Sequence, residues 1–103
     1  MAKASIRKSV TKVCRALGSP VRLRAIRRML EVGQPMSVSQ LAARERQSSD
    51  AMSRHLKVLE RAGVVQSHSG VDRRCTCYFV PAEYRRENGV LDFGCCLVRL
   101  GEY

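Results

Sequence analysis

The sequence predicts one mainly α-helical domain that ends in a small β region, and three observations support this prediction. Four segments up to Gly63 have apolar residues at helical spacing and capping residues at their ends. Between positions 64 and 80, β-branched and aromatic residues around a turn segment indicate a hairpin instead. The chain has 103 residues, of which 45% are hydrophobic and 27% charged. This composition suits a single domain with one modest core over residues 1–103.

The first two helices are predicted from apolar spacing and from the residues at their ends. The first extends over Ser5–Leu17 and ends at Gly18, with an apolar face made of Ile6, Val10, Val13, Cys14 and Leu17. The second has Ser19 as its N-cap, Pro20 as its first helical residue and Gly33 at its end. Its apolar face comprises Val21, Leu23, Ile26, Met29 and Leu30.

A pair of shorter helices follows a loop at positions 34–36. Ser37 caps the third helix, and Ser48 or Ser49 caps the fourth, which has Asp50 in its first turn and Gly63 after its end. The core residues predicted for the third helix are Val38, Leu41 and Ala42. Those predicted for the fourth are Met52, Leu56, Leu59 and Ala62.

The β region is predicted as a hairpin followed by one separate strand. The hairpin pairs Val64–Ser69 with Cys75–Val80 around a turn at Gly70–Arg73, and Pro81 ends it. Val90–Leu100 is predicted to be a single terminal strand.

The charge pattern favours a polyanionic partner. The chain has 19 Lys and Arg against 9 Asp and Glu, a formal charge of +10, and every charged residue before Glu31 is basic. Nucleic acid and an anionic membrane surface would both suit this excess, and a solvated basic face is the plainer alternative. Because no apolar run is long enough to cross a bilayer and the first residues lack the apolar stretch of a signal peptide, we expect a cytoplasmic protein with no membrane partner.

The third and fourth helices have the outline of a helix-turn-helix, spanning residues 37–63. The polar side chains at the start of the fourth helix would then face the major groove of duplex DNA, although the same residues could simply solvate an exposed helix. They are Gln47, Ser48, Ser49, Ser53, Arg54 and Lys57. The hairpin over residues 64–80 carries Arg73 and Arg74 at its turn, as a wing that follows phosphates or the minor groove requires. The predicted architecture is therefore a winged helix-turn-helix.

Three segments resemble the ArsR/SmtB-type winged-helix repressors. They are Ala16–Ile26, Ser37–Ala42 and Ser53–Val65, and the similarity covers roughly residues 16–80. The resemblance implies a dimeric DNA-binding repressor, often released by a metal, metalloid or redox signal. It also implies that His55 faces DNA, although a histidine there could instead pack under the helix and bond a neighbouring carbonyl.

The sequence departs from this family in its turn and its C-terminal region, and it lacks the Cys-x-Cys and the Asp and His ligands of the family's metal-sensing members. Arg44–Gln47 stands where the family has apolar residues and a glycine in the turn, and the strand Val90–Leu100 replaces the C-terminal helix that contributes to dimerisation. We therefore predict a homodimer built from the first helix (residues 1–17) and the terminal strand, which would pair at its edge with the other subunit or with the wing. The interface residues on the helix would be Ile6, Val10, Val13 and Leu17.

The cysteines give a metal-site hypothesis and a structural alternative. Cys75 and Cys77 would lie on one face of their strand, whereas Cys95 and Cys96 would point to opposite faces of theirs. If the two strands paired, these thiols could bind zinc or a soft metal or metalloid. Cysteine is also a common small core residue, and Cys14 on the first helix is expected to be one.

Two functions remain open at this point. The first is a DNA-binding transcriptional regulator, a repressor by resemblance, with a thiol or metal response if the cysteines cluster. The alternative is a sequence-indifferent basic protein associated with nucleic acid or RNA. An enzyme is not expected, because the sequence has no phosphate-cradling glycine loop, metalloprotease motif or nucleophile elbow.

Overall fold

The computed structural model describes residues 9–69 and 75–100, which form four α-helices and two small antiparallel sheets. The helices are α1 (Val10–Leu17), α2 (Pro20–Val32), α3 (Val38–Arg44) and α4 (Ser49–Arg61). The strands are β1 (Met36–Ser37), β2 (Gln66–Ser69), β3 (Thr76–Phe79), β4 (Val90–Asp92) and β5 (Leu97–Arg99). Two short 3₁₀ turns, Ala82–Tyr84 and Glu87–Gly89, connect β3 to β4. The winged helix-turn-helix architecture predicted from the sequence is confirmed.

Serine hydroxyls begin the helices by accepting backbone N–H groups that have no partner within the helix. Ser19 and Ser48 cap α2 and α4, and Ser37 forms a reciprocal capping box with Gln40 at the start of α3. The start of α1 differs from the prediction. Ser9 has an extended backbone and caps α1, so this helix begins at Val10 rather than at Ser5.

The core lies between α1, α2 and α4 and continues under the three-stranded sheet. Apolar side chains from every helix are excluded from solvent, which is the largest favourable contribution to folding. The fully buried members are Val13, Ala25, Ile26, Leu41, Met52, Leu56, Leu59 and Val64. Cys14 is exposed, so the expectation that it belongs to the core is wrong: the core side of the short helix α1 is formed by Val13, Ala16 and Leu17.

The wing sheet has the strand order β1-β3-β2. The β2–β3 pairing matches the predicted hairpin, whereas β1 lies at positions predicted to be a loop and the third helix cap. Met36 pairs with Tyr78 and Ser37 with Cys77, a long-range contact that local spacing does not reveal. The predicted turn, including Arg73 and Arg74, lies outside the described residues.

The C-terminal region is a hairpin, and the prediction of one strand over Val90–Leu100 is wrong. The backbone reverses at Gly94, which has φ +87° and donates its N–H to the Asp92 carboxylate at 2.9 Å. Strands β4 and β5 then pair with each other in a separate two-stranded sheet. The expected pairing of this segment with the wing is therefore wrong as well.

Within residues 9–69 and 75–100, no helix is both long and apolar enough to cross a membrane.

Candidate nucleic-acid interface

Helix α4 has one face inside the core and one face in solvent. Met52, Leu56 and Leu59 are completely buried, because their spacing places them on one side of a 3.6-residue helix. The predicted DNA-facing set falls mainly on the other side, where Ser48, Ser49, Arg54 and Lys57 are exposed and Gln47 and Ser53 are half-buried. The exposed face thus combines hydroxyl groups at the helix N-terminus with two cations further along.

The hydroxyl of Ser48 has a structural role in addition to its exposed position. Its Oγ accepts the backbone N–H of Ala51 at 3.1 Å, which fixes the first turn of α4. A serine hydroxyl also has one O–H donor, which remains available to a second partner. Ser48 can therefore hold the helix start and contact a ligand at the same time.

A polar groove of about 290 Å³ lies between α4, the start of α3 and β3. It brings Ser53 and Lys57 of α4 next to Ser39 of α3 and Thr76 of β3, with the exposed Cys75 at the base of the wing. Sequence reasoning included Ser53 and Lys57 in the interface but missed Ser39 and Thr76. Their nearness depends on the tertiary packing of three elements, and no local pattern signals it.

His55 points toward α2 and is half-buried. Its Nδ1 accepts a hydrogen bond from Arg22 Nε at 3.1 Å, and Arg22 Nη1 donates to the backbone carbonyls of Arg15 and Ala16 at the end of α1. Arg22 therefore joins α1, α2 and α4. The geometry favours the packing interpretation of His55 over direct DNA contact. Its partner is the Arg22 guanidinium and not a backbone carbonyl.

The environment of His55 favours the neutral imidazole. Burial lowers the pKa of His55 below 6.5, and the nearby charges of Arg22 and Arg54 lower it further. A neutral ring with an acceptor Nδ1 carries its proton on Nε2. Protonation of Nδ1 would remove the acceptor that Arg22 uses.

The turn between α3 and α4 is held by a buried carboxylate. Glu45 has only 4% of its side chain exposed, and it accepts from Arg24 Nε at 3.2 Å and from Arg28 Nε at 3.3 Å. Arg46 follows in the left-handed region with φ +56°, where a glycine would be less strained. Ion pairs with α2 thus hold a turn that lacks the apolar residues and the glycine expected from the resemblance.

The four cysteines of the metal hypothesis do not form one cluster. Cys77 lies in the wing sheet and Cys75 directly before β3, whereas Cys95 and Cys96 lie in the turn of the C-terminal hairpin with their sulfurs 3.8 Å apart. The strand pairing on which the hypothesis depended is not formed. In the part of the chain that the structure describes, no three His, Cys, Asp or Glu side chains are grouped so as to hold a metal ion. Zinc or metalloid binding at these cysteines remains a prediction from the sequence.

The predicted dimer residues on α1 are divided between two environments. Val13 and Leu17 are buried in the core of the protomer, so they cannot supply a surface to a partner without unfolding. Val10 is 47% exposed, and Ile6 lies outside the described residues. Leu97 on β5 is another exposed large apolar side chain, at 68%.

Comparisons with known proteins agree with this geometry. A family model described as a helix-turn-helix domain matches residues 17–68. HlyU from Vibrio cholerae is similar in structure, with a TM-score of 0.62, 26% identity and coverage of 81% of this chain and 85% of that one. Rv0081 of M. tuberculosis gives a TM-score of 0.59, 29% identity and coverage of 70% and 69%.

A MarR family transcription regulator, SP03579, gives a TM-score of 0.53 at 25% identity, with coverage of 70% of this chain and 48% of that one. A comparison with curated protein sequences finds no match.

Proposed function

Because this chain belongs to the helix-turn-helix domain family and is a DNA-binding transcriptional regulator, we propose that it represses its target genes by binding operator DNA as a homodimer. The observation that carries the proposal is the exposed face of α4. The helix is anchored by three fully buried apolar residues and presents hydroxyl and cationic groups to solvent. A helix of this kind reads base edges with its N-terminal half while the rest of the domain contacts the backbone.

The residues of α4 have different roles in this proposal. Arg54 is exposed and can donate two parallel hydrogen bonds to a guanine, the commonest specific contact in the major groove. Ser48 and Ser49 contact bases or phosphates at the helix N-terminus, where the helix dipole also favours an anion.

The polar groove beside α4 supplies the contacts to the DNA backbone. Lys57 and Ser53 line it together with Ser39 and Thr76, which gives one cation and several hydroxyls around a space that a phosphate can enter. Arg73 and Arg74, at the predicted wing turn, extend these contacts along the duplex. The large excess of basic residues, a formal charge of +10, strengthens the attraction for any duplex sequence.

Selection of a preferred duplex from a random pool, followed by binding measurements on single-base variants, tests the proposal. We expect Arg54→Ala to abolish discrimination at one base position, at a cost of about 1–3 kcal/mol for the matched duplex. Arg61→Ala is the matched control, because Arg61 is an exposed arginine at the other end of the same helix. This control should leave the base preference unchanged. Equal weakening on every duplex, with no preference in the wild type, would instead support the sequence-indifferent alternative.

The proposed dimer face combines α1 with the C-terminal hairpin. Burial is the main cause that raises the pKa of Cys96 to about 11, and the neighbouring Cys95 thiol raises it further. Cys95, Cys96 and Val98 of the hairpin pack against the same apolar core that α1 enters with Val13 and Leu17. The exposed Val10 and Leu97 belong to these two elements, and a second copy of the chain would remove both from water.

Sedimentation of Val10→Asp tests this face. We expect the variant to shift from dimer to monomer at micromolar concentration, because a buried carboxylate without a partner is strongly unfavourable. Val32→Asp is the control, since Val32 is also an exposed valine, 38% accessible, but lies at the end of α2. A wild-type protein that is monomeric at this concentration would contradict the proposed dimer.

A further inference from the structure

A second concave site, apart from the α4 surface, lies along the outer side of α2. It is a groove of about 440 Å³, within the size range of small-molecule sites. Pro20 and Leu23 contribute apolar surface to its lining. Three arginines outnumber two carboxylates among the charged lining residues, which are Arg24, Arg27, Arg28, Glu31 and Glu45. A mainly apolar site with a few cations favours a ligand that has an apolar body and one anionic group.

The same groove reaches the turn of the helix-turn-helix. Glu45 lines it, and Arg24 and Arg28 hold the Glu45 carboxylate through their Nε atoms. A guanidinium has five N–H donors, and each Glu45 contact uses the one on Nε. Arg28 also donates from Nη1 to Glu31 at 3.4 Å, so Arg24 is the arginine through which a ligand would enter. The Arg24 side chain is half exposed, at 51%. An entering anion can therefore reach this guanidinium from solvent.

A carboxylate is the natural competitor at such a site. Arginine can bind a carboxylate with two parallel hydrogen bonds. Glu45 makes only one contact with each arginine, at 3.2 and 3.3 Å. A free carboxylate that took both donors of one guanidinium edge would weaken the hold of α2 on the turn. Because α4 begins at Ser49, directly after this turn, the orientation of the recognition helix would change.

We propose that this groove binds a small organic carboxylate with an apolar body, and that the bound ligand competes with Glu45 for Arg24 and Arg28. The ligand thereby loosens the turn before α4 and lowers the affinity for DNA. The loss of DNA affinity rests on the proposed function, whereas binding of the ligand to the groove can be tested without DNA.

Calorimetry on the full chain without DNA tests the binding step, with octanoate as the probe and octan-1-ol as its uncharged match. We expect octanoate to bind and octan-1-ol to bind at least about fivefold more weakly, because the alcohol lacks the charge-assisted contact. Arg24→Gln should weaken octanoate by about fivefold for the same reason. Arg99→Gln, an exposed arginine on β5 outside the groove lining, should leave octanoate binding unchanged.

The direction of the change in octanoate affinity caused by Glu45→Gln shows whether the ligand competes with Glu45 for the arginines. Removing the charge of Glu45 releases Arg24 for the ligand, while Arg28 keeps its contact with Glu31. Octanoate should therefore bind this variant about threefold or more tightly. If Glu45→Gln does not fold, comparing Arg24→Gln with Arg99→Gln still tests the binding step. Both arginines are exposed, so these two variants are expected to fold.

The regulatory step is measured by titrating the protein–duplex complex with octanoate. We expect the duplex affinity to fall for the wild type and to stay constant for Arg24→Gln. Three results would overturn the proposal: no octanoate binding, equal binding of octanoate and octan-1-ol, or equal binding to the wild type and Arg24→Gln. If Arg24→Gln weakens the duplex itself and octanoate does not bind, the groove is a contact for the DNA backbone and the ligand proposal is wrong.

Discussion

Helix α4 is held on two sides by contacts of different physical kinds. On its core side, Met52, Leu56 and Leu59 are completely buried among apolar neighbours. On the side of α2, His55 accepts from Arg22, and Glu45 in the preceding turn accepts from Arg24 and Arg28. Apolar contacts have no preferred direction and determine whether the helix packs at all. Hydrogen bonds and ion pairs are directional, so they determine the orientation of the helix, and they respond to pH, salt and competing ions.

The largest expected effect comes from breaking the apolar side. Leu56→Ala should lower the free energy of unfolding by about 2–5 kcal/mol, because the substitution removes buried methyl groups and leaves a cavity. Urea denaturation measures this change. A loss below about 1 kcal/mol would mean that the core collapses around the smaller side chain.

Removing the polar contacts should reduce stability less than Leu56→Ala does, but it should weaken DNA binding. Glu45→Gln should lower the free energy of unfolding by about 1–2 kcal/mol, since the two arginines are partly exposed and can return to water. At a protein concentration and temperature where the variant is folded, its affinity for the selected duplex should fall about tenfold, a coupling of about 1.4 kcal/mol. Fluorescence anisotropy measures the affinity, with Glu87→Gln as the control, because Glu87 is an exposed glutamate in the second 3₁₀ turn. A variant that loses stability but binds the duplex normally would show that Glu45 stabilises the fold without orienting α4.

Removing the N-cap of α4 should lower the free energy of unfolding by less than removing a core side chain. Ser48→Ala should cost about 1 kcal/mol of stability, because the N–H of Ala51 loses its acceptor. Ser49→Ala is a matched control for thermal unfolding, since Ser49 is also exposed but is the first helical residue. Equal losses in the two variants would contradict the capping assignment.

The smallest expected effect is a pH dependence that belongs to the His55–Arg22 contact. The pKa of His55 is lowered in the folded protein, so the unfolded chain binds the proton more readily. Stability should therefore fall as the pH drops from 6.5 toward the folded-state pKa, and this contribution is complete above 6.5. Unfolding of the wild type and His55→Gln between pH 7.5 and 5 measures the contribution, because glutamine retains an acceptor but does not titrate. Identical pH profiles for the wild type and His55→Gln would show that His55 does not contribute to the pH dependence of stability.

Much of the helical half could be predicted from local sequence. Ser19 and Ser37 are predicted as caps and confirmed, and Ser48 is one of the two residues predicted for the cap of α4. The buried face of α4 follows from the spacing of Met52 and Leu56. These signals are local, because a cap bonds within one turn and a helical face repeats every 3.6 residues.

The sequence predictions are wrong where the deciding contact is distant, or where a turn signal lies within a run of apolar residues. Strand β1 exists because Met36 meets Tyr78, and Glu45 is buried because α2 supplies two arginines to a polar turn. In the C-terminal hairpin the signal was present, since Asp92 and Gly94 form a side-chain-to-backbone turn that interrupts the run of apolar residues. Apolar periodicity cannot distinguish a core contact of Val13 and Leu17 from a dimer contact, because both require an apolar face on the helix.

Titration of the ¹⁵N-labelled protein with its selected duplex tests the central claim most directly. If α4 enters the groove, the largest amide shift changes should lie between Ser48 and Lys57 and around Ser39 and Thr76, with little change in the C-terminal hairpin. Shift changes concentrated in residues 82–100, with α4 unaffected, would show that another surface binds DNA and would contradict the account.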